Sequence, residues 1–185
     1  AVTQAGPSQG SITWEVRGGR VIGPAPFCLL GVVNVTPDSF YDGGRHSDAP
    51  SAVAHGLALA EALAEAGTGP DGRKGALVLD VGGESTRPGA AAVDAAEEAA
   101  RVAPVVRELA QAGHLVSVDT TKAQVAEQAL EAGAVMVNDV SACRFDPALL
   151  DVVAGHQPGY VLMHTKGAPK TMQKNPCYDD VVGEV

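Results

Sequence analysis

The sequence predicts an α/β fold with parallel strands, and three observations carry that expectation. From Phe27 onward one unit repeats: an apolar run, a polar loop, an amphipathic stretch, a glycine, and the next apolar run. The composition is 45% hydrophobic but only 4% aromatic, so the core must be built from Ala, Val and Leu, as where Ala-rich helices pack on Val-rich strands. Gly67, Gly113, Gly133 and Gly155 each stand where a helix should stop, the position that favours a left-handed cap.

The elements follow in order. Residues 1–10 lack a basic and apolar signal pattern and read as a flexible tail before a single domain, 11–185. Ile12, Trp14 and Val16 alternate, Gly18-Gly19 follows, then Val21 and Ile22, which predicts a short β-hairpin covering one end of the main fold. Strands are expected at 28–33, 76–81, 115–118, 134–137 and 159–163, with helices near 51–66, 94–112, 122–132 and 147–154. Asp146-Pro147 has the form of a helix start, and Val125, Ala129 and Ala132 form the stripe that faces a sheet. Pro104 is expected to kink or split the second helix.

Strict alternation gives parallel strands with right-handed crossovers, in either an open doubly wound sheet or a (β/α)8 barrel. No GxGxxG follows the first strand, which weakens the nucleotide-binding open sheet. Both architectures place their active sites at the carboxyl ends of strands.

Composition excludes several classes of function. A net charge of −9 argues against a nucleic-acid partner, yet local donors and a metal still allow an anionic small substrate. No apolar run approaches the ~20 residues that span a bilayer, and a cytoplasmic protein is expected. Cys28, Cys143 and Cys177 form no CxxC pair and read as reduced thiols.

Unusual polar residues collect at the predicted strand ends. They are Asn34, then Asp80 with the loop to Arg87, then Asp119, Asn138-Asp139 and His164. Parallel strands bring such ends to one rim. A polar residue after a strand can instead be only the N-cap of the next helix, and that alternative stands for Asp119. Asp and Asn suit a heterocycle with adjacent N–H donors and a carbonyl, such as the amino-pyrimidine edge of a pterin, which makes Asp119 and Asn138 the candidate ring contacts. Asp80 either supports that pocket or is a buried acid satisfied by the backbone N–H groups of Gly82 and Gly83. Asn34 is either a neutral oxygen ligand for Mg²⁺ or a turn former near Pro37. The loop 34–50 has the length of a functional or a disordered segment, and its Asp38, Ser39 and Asp42 are suited either to stabilise a cationic centre or to close over substrate. Thr86 and Arg87 offer a hydroxyl and a guanidinium, apt for a small aromatic carboxylate. His164 shows no base partner and reads as structural.

The segment Asn34-Val-Thr-Pro-Asp-Ser-Phe-Tyr-Asp-Gly-Gly44 resembles the first signature of dihydropteroate synthases. Asp80-Val-Gly-Gly-Glu-Ser-Thr-Arg-Pro-Gly89 resembles the second, in the right order. The resemblance spans roughly 28–185 and implies a TIM barrel, of which about five βα units are present where the closed fold has eight. The chain therefore reads as the first two-thirds of such an enzyme.

The reaction implied is condensation of 6-hydroxymethyl-7,8-dihydropterin pyrophosphate with p-aminobenzoate, giving 7,8-dihydropteroate and pyrophosphate. The family pattern implies pterin contacts at Asp119 and Asn138, and Mg²⁺ on Asn34 assisting the leaving group. It also implies that the first two loops move to bind p-aminobenzoate. Asp38 is the expected catalytic partner of Asn34, and a homodimer without nucleic-acid or membrane partners is expected. A corrinoid-dependent methyltetrahydrofolate methyltransferase and a non-catalytic pterin-binding relative are the alternatives. The family's acid, its lysine in a Ser-Arg-Lys run and its Arg-x-His pair have no counterpart before Val185, so activity of this chain alone is an open expectation.

Overall fold

A computed structural model describes residues 11–36, 49–69, 72–85, 92–167 and 175–185. The expected hairpin comes first, with β1 (Ile12–Val16) and β2 (Arg20–Ala25) paired antiparallel. A 3₁₀ turn at Arg17–Gly19 joins them, and Gly18 and Gly19 hold φ of 74° and 69° there. Five parallel strands follow: β3 (Cys28–Asn34), β4 (Ala76–Gly82), β5 (Val116–Asp119), β6 (Met136–Asp139) and β7 (Gly159–Leu162). Between them run α1 (Ala49–Ala66), α2 (Ala95–Gln111), α3 (Ala123–Ala132) and α4 (Leu149–His156), with a short α5 (Val181–Glu184) last.

Strand order separates the two architectures that alternation leaves open. A doubly wound sheet reverses its order at a switch point and carries helices on both faces. Here each strand lies beside its predecessor, in the order β3-β4-β5-β6-β7. Val33, Leu79, Val81, Val116, Val118 and Val137 all meet the helices in one buried cluster with Ala52, Val102, Leu109, Leu130 and Leu149. Helices on one face of a sheet that advances without reversal make the first five units of a barrel wall.

Side chains of the other parity along each strand face inward. The hairpin closes the amino-terminal end of that inner face, where Val16 and Ile22 are buried with Val78, Val135 and Met136. Glycine is required at position 159, because an added Cβ would sit 2.6 Å from Val16 and 2.9 Å from Met136. The carboxyl-terminal end of the inner face is left to polar residues.

Three local expectations are corrected. Pro104 does not split α2, which runs unbroken from the Asp94 cap. The buried stripe of Val102, Val105, Val106 and Leu109 holds the helix through the missing N–H. Gly155 lies inside α4, and the left-handed stop is Gln157 at φ 49°, whereas Gly133 caps α3 as expected at φ 119°. Asp146 opens the turn that leads into α4, its Oδ1 accepting from Ala148 N at 3.2 Å, but α4 itself begins at Leu149; Asp146 Oδ2 also accepts from Ala123 N at 2.7 Å and so caps α3.

Candidate functional site

The strands β3 to β6 run one or two residues further than the apolar pattern suggests, so Asn34, Asp119, Asn138 and Asp139 belong to the strands themselves. Register then sets their relations. Asn34, Gly82, Asp119 and Asn138 form one row across β3 to β6, and Val32, Asp80, Ser117 and Met136 form the row beneath it. Gly82 keeps the space beside Asp119 open, since a Cβ there would touch Asp119 Oδ2 at 3.7 Å.

Asp80 reaches diagonally over β5, and its Oδ2 accepts a hydrogen bond from Asn138 Nδ2 at 2.9 Å. That bond fixes the amide so that Asn138 Oδ1 faces away from Asp80. Among the described residues, the Gly82 and Gly83 N–H groups do not satisfy Asp80. Three buried atoms lack hydrogen-bond partners among those residues: Asp80 Oδ1, Ser117 Oγ and Asn138 Oδ1. Buried polar groups are nearly always paired, so three on one concave face mark where donors of a ligand or of water belong.

The electrostatics agree. Burial pushes the Asp119 carboxyl up to about 7, and the nearby charges of Asp80, Glu98 and Asp139 push in the same direction. Burial also raises Asp80, opposed by the Ser117 hydroxyl, which lies near the carboxylate without a well-formed hydrogen bond, and by the Asn138 amide. A half-neutral Asp119 beside a fixed amide can accept from, or donate to, a flat ring edge carrying both donors and acceptors.

Asp119 is not a helix cap. The cap position of α3 is Lys122, and the first α3 N–H, of Ala123, bonds Asp146 rather than Asp119. The cap alternative raised from the sequence therefore falls. Asn34 is exposed in the same row as Asp119, two interstrand spacings away, roughly 10 Å. Asp38, Thr86 and Arg87 lie outside the described residues, as does the tail 1–10. Among the described residues no cluster of three His, Cys, Asp or Glu side chains is arranged to hold a metal. His164, exposed after β7, shares a 2.9 Å hydrogen bond with the Tyr178 hydroxyl.

The strand-end reading named Asp139 without a role and did not name Glu98, and both are buried acids. Asp139 is turned toward the helices, where Oδ1 accepts from Ser141 N at 2.7 Å and Ser141 Oγ at 2.8 Å. Its Oδ2 accepts from Cys143 N at 2.6 Å and the Tyr160 hydroxyl at 2.7 Å. Burial alone would raise its pKa, but these four donors outweigh that and hold it below the usual carboxylate range. The carboxylate pins a turn in which Ala142 and Cys143 adopt φ of 53° and 60°. Asp139-Val-Ser141 is a side-chain turn pattern that could have signalled this. The other acid is Glu98, 1% exposed on the stripe it shares with Val102, Val105 and Leu109, and bonded to Thr120 and Lys122. An acid at a core position of an amphipathic helix was its signal.

Comparison with known proteins follows the same lines. The family model for pterin binding enzymes matches residues 30–185. The dihydropteroate synthase of Mycobacterium leprae is 49% identical over 162 residues, covering 87% of this chain and 53% of that protein. A Xanthomonas albilineans dihydropteroate synthase solved with 4-aminobenzoic acid superposes with a TM-score of 0.71 at 46% identity, over 92% of this chain and 56% of the other. The same organism's enzyme in complex with 7,8-dihydropteroate gives 0.68 at 43% identity, over 91% of this chain and 55% of the other. The chain thus spans about half the length of the curated relatives it matches.

Proposed function

The chain belongs to the pterin-binding enzyme family, and from that premise we propose that it carries the pterin site of a dihydropteroate synthase. The reaction joins 6-hydroxymethyl-7,8-dihydropterin pyrophosphate to p-aminobenzoate and yields 7,8-dihydropteroate and pyrophosphate. The observation that carries this reading is the Asp80–Asn138–Asp119 group, with unpaired acceptors at Asp80 Oδ1 and Asn138 Oδ1 on the inner face of the sheet. Similarity to enzymes solved with 4-aminobenzoic acid and with 7,8-dihydropteroate supports the choice of substrates.

Asp119 and Asn138 hold the amino-pyrimidine edge of the pterin, and Asp80 fixes the Asn138 amide. The aniline nitrogen attacks the pterin methylene, the C–N bond forms as the C–O bond to pyrophosphate breaks, and the aniline proton is lost. No protein nucleophile is needed, so this site contributes positioning and charge. Asn34, an exposed neutral oxygen at the rim, fits one ligand position of Mg²⁺, an ion that usually takes few protein ligands and completes its shell with phosphate and water. When bound, the ion supplies positive charge to the departing pyrophosphate. Asp38 is assigned to stabilise the electron-poor methylene, and Thr86 and Arg87 to grip the benzoate. A cytoplasmic homodimer is part of the reading, testable by light scattering and cell fractionation.

The test is pyrophosphate release by the full native polypeptide with both substrates and Mg²⁺. A folded wild-type protein that binds the pterin and releases none would refute the synthase reading. Thr86→Ala and Arg87→Ala should raise the KM for p-aminobenzoate more than they alter pterin pyrophosphate binding. Equal effects on both substrates would remove those two residues from the benzoate site.

A further inference from the structure

Three polar side chains on neighbouring strands stand in one small group on the inner face, and register sets their relations. Asp80 on β4 pairs across to Ser117 on β5, and Asn138 on β6 lies in the row above, next to Asp119. Asp80 is 4% exposed and Ser117 is fully buried, so neither side chain is free to turn to solvent. Asp80 Oδ2 takes the Asn138 Nδ2 hydrogen bond at 2.9 Å. Asp80 Oδ1, Ser117 Oγ and Asn138 Oδ1 are buried without a partner among the described residues.

The three atoms differ in what can complete them. A hydroxyl donates as well as accepts, whereas an ionised carboxylate only accepts. The Ser117 hydroxyl lies near the Asp80 carboxylate, and turning its O–H toward Oδ1 pairs two of the three atoms at once. Asn138 Oδ1 then remains, an acceptor that neither Ser117 nor an ionised Asp80 can serve.

A side-chain amide has two orientations, and exchanging them inverts what it asks of a ligand. An ionised Asp80 permits only one, because it can receive Nδ2 but has no proton for Oδ1. A neutral Asp80 would permit both, since its own O–H could serve the amide oxygen. Burial works toward that neutral form, while Ser117 and Asn138 oppose it. Ser117 is thus placed to keep the carboxylate charged, and the charged carboxylate to hold the amide. With the amide oxygen turned from Asp80, the row of Asp119 and Asn138 presents oxygens side by side. A ligand atom carrying a lone pair there leaves a buried oxygen uncompensated, which is costly.

We propose that Ser117 and Asp80 are positioning residues that hold the Asn138 amide oxygen toward the ligand, so that the site selects ring edges presenting N–H groups over edges presenting a carbonyl or a bare ring nitrogen. This deepens the pterin reading and rests on it for the identity of the ring. Ser117 touches no ligand; it acts through Asp80, and Asp80 acts through Asn138.

The experiment uses the full native polypeptide with Asp80→Asn, Ser117→Ala and the double variant. Calorimetry measures binding of 6-hydroxymethyl-7,8-dihydropterin and of two analogues. In one a carbonyl replaces the 2-amino group; the other is the fully aromatic pterin, which lacks one ring N–H. An amide at position 80 can serve either orientation of Asn138, so preference for the dihydropterin over at least one analogue should fall about tenfold in Asp80→Asn. In Ser117→Ala it should fall about threefold. The double variant should be no worse than Asp80→Asn, since both changes break one chain of contacts. Ser117→Ala removes a buried hydroxyl that has no formed bond, so it should melt no lower than wild type, and it keeps the proposal testable where Asp80→Asn fails to fold. In asparagine-labelled protein without ligand, the Asn138 side-chain N–H signals, assigned by their loss in Asn138→Asp, should exchange slowly with solvent and quicken in Ser117→Ala. Unchanged preference against both analogues in the folded variants would overturn the proposal, as would additive losses in the double variant. A wild-type protein that binds none of the three rings strikes the pterin reading instead. The Asn138 exchange rate then decides the amide orientation by itself: quickening in Ser117→Ala supports it, and an unchanged rate overturns it.

Discussion

Asp119 is the residue whose environment most constrains what the site can bind. Its carboxyl sits near pKa 7 because burial comes first and the charges of Asp80, Glu98 and Asp139 add to it. A ligand that donates two N–H bonds to the ionised form must drive off the proton, so binding at pH 7 should release about half a proton. Titration calorimetry in buffers of different ionisation enthalpy reads that number, and pterin affinity should rise with pH through about 7. Asp119→Asn should weaken pterin binding by about 1–3 kcal/mol and abolish the proton release. Its effect on stability has the opposite sign. The native state holds the proton that an unfolded Asp gives up near its ordinary value, so wild-type stability falls as pH rises from about 4 to about 7. Asp119→Asn should therefore melt above wild type at pH 8 and lose that advantage at pH 4. A variant that melts lower at pH 8 would place a structural partner on Asp119. The strand-end acids and amides were legible in the sequence because alternation makes a polar residue at the end of an apolar run conspicuous. Whether Asp119 was cap or ligand was not, since both need the same residue at the same position.

At the scale of elements, buried acids behind the strand ends hold the turns that follow them. Asp139 illustrates why such roles escape a sequence reading: it adjoins Asn138, yet the pleat turns it to the helix side. Its four donors can be read only once Cys143 and Tyr160 are brought to it by the turn and by β7. Asp139→Asn puts an NH₂ group against donors and should cost about 2 kcal/mol or more, measured by chemical denaturation above pH 6. Because the native carboxyl is held below its ordinary value, the wild-type advantage is present above about pH 4 and is lost as pH falls through the native value. An Asp139→Asn protein as stable as wild type at pH 7 would show that the turn at Ala142 and Cys143 holds without the carboxylate. Helix ends show the same limit. Gly133 was legible as a left-handed stop, but Asp146 capping α3 across the fold was not, because a cap from a distant segment leaves no local pattern.

For the whole molecule, alternation made the parallel sheet legible but could not choose between a wall that turns back and one that keeps advancing. That choice lies in strand order, which no local period encodes. The described sheet has β3 and β7 as its two edges. On β3 the inward side chains Leu30 and Val32 are 41% and 53% exposed, and at the β7 edge Leu162 and Met163 are 69% and 40% exposed. Apolar side chains at unpaired strand edges associate with whatever covers them. The 185-residue polypeptide, prepared by itself, should therefore bind a hydrophobic dye, self-associate in light scattering, and unfold without a sharp cooperative transition. It should also fail to turn over: in the proposed reading Asp80, Asp119 and Asn138 serve recognition of the ring, while a departing pyrophosphate needs concentrated positive charge. Among the described residues near that rim, Lys122 is already committed to Glu84 and Glu98. Brisk pyrophosphate release by this polypeptide with both substrates and Mg²⁺ would sink the expectation. Monomeric behaviour with cooperative unfolding would count equally against it, since the exposed edge residues would then have to be covered from within these 185 residues.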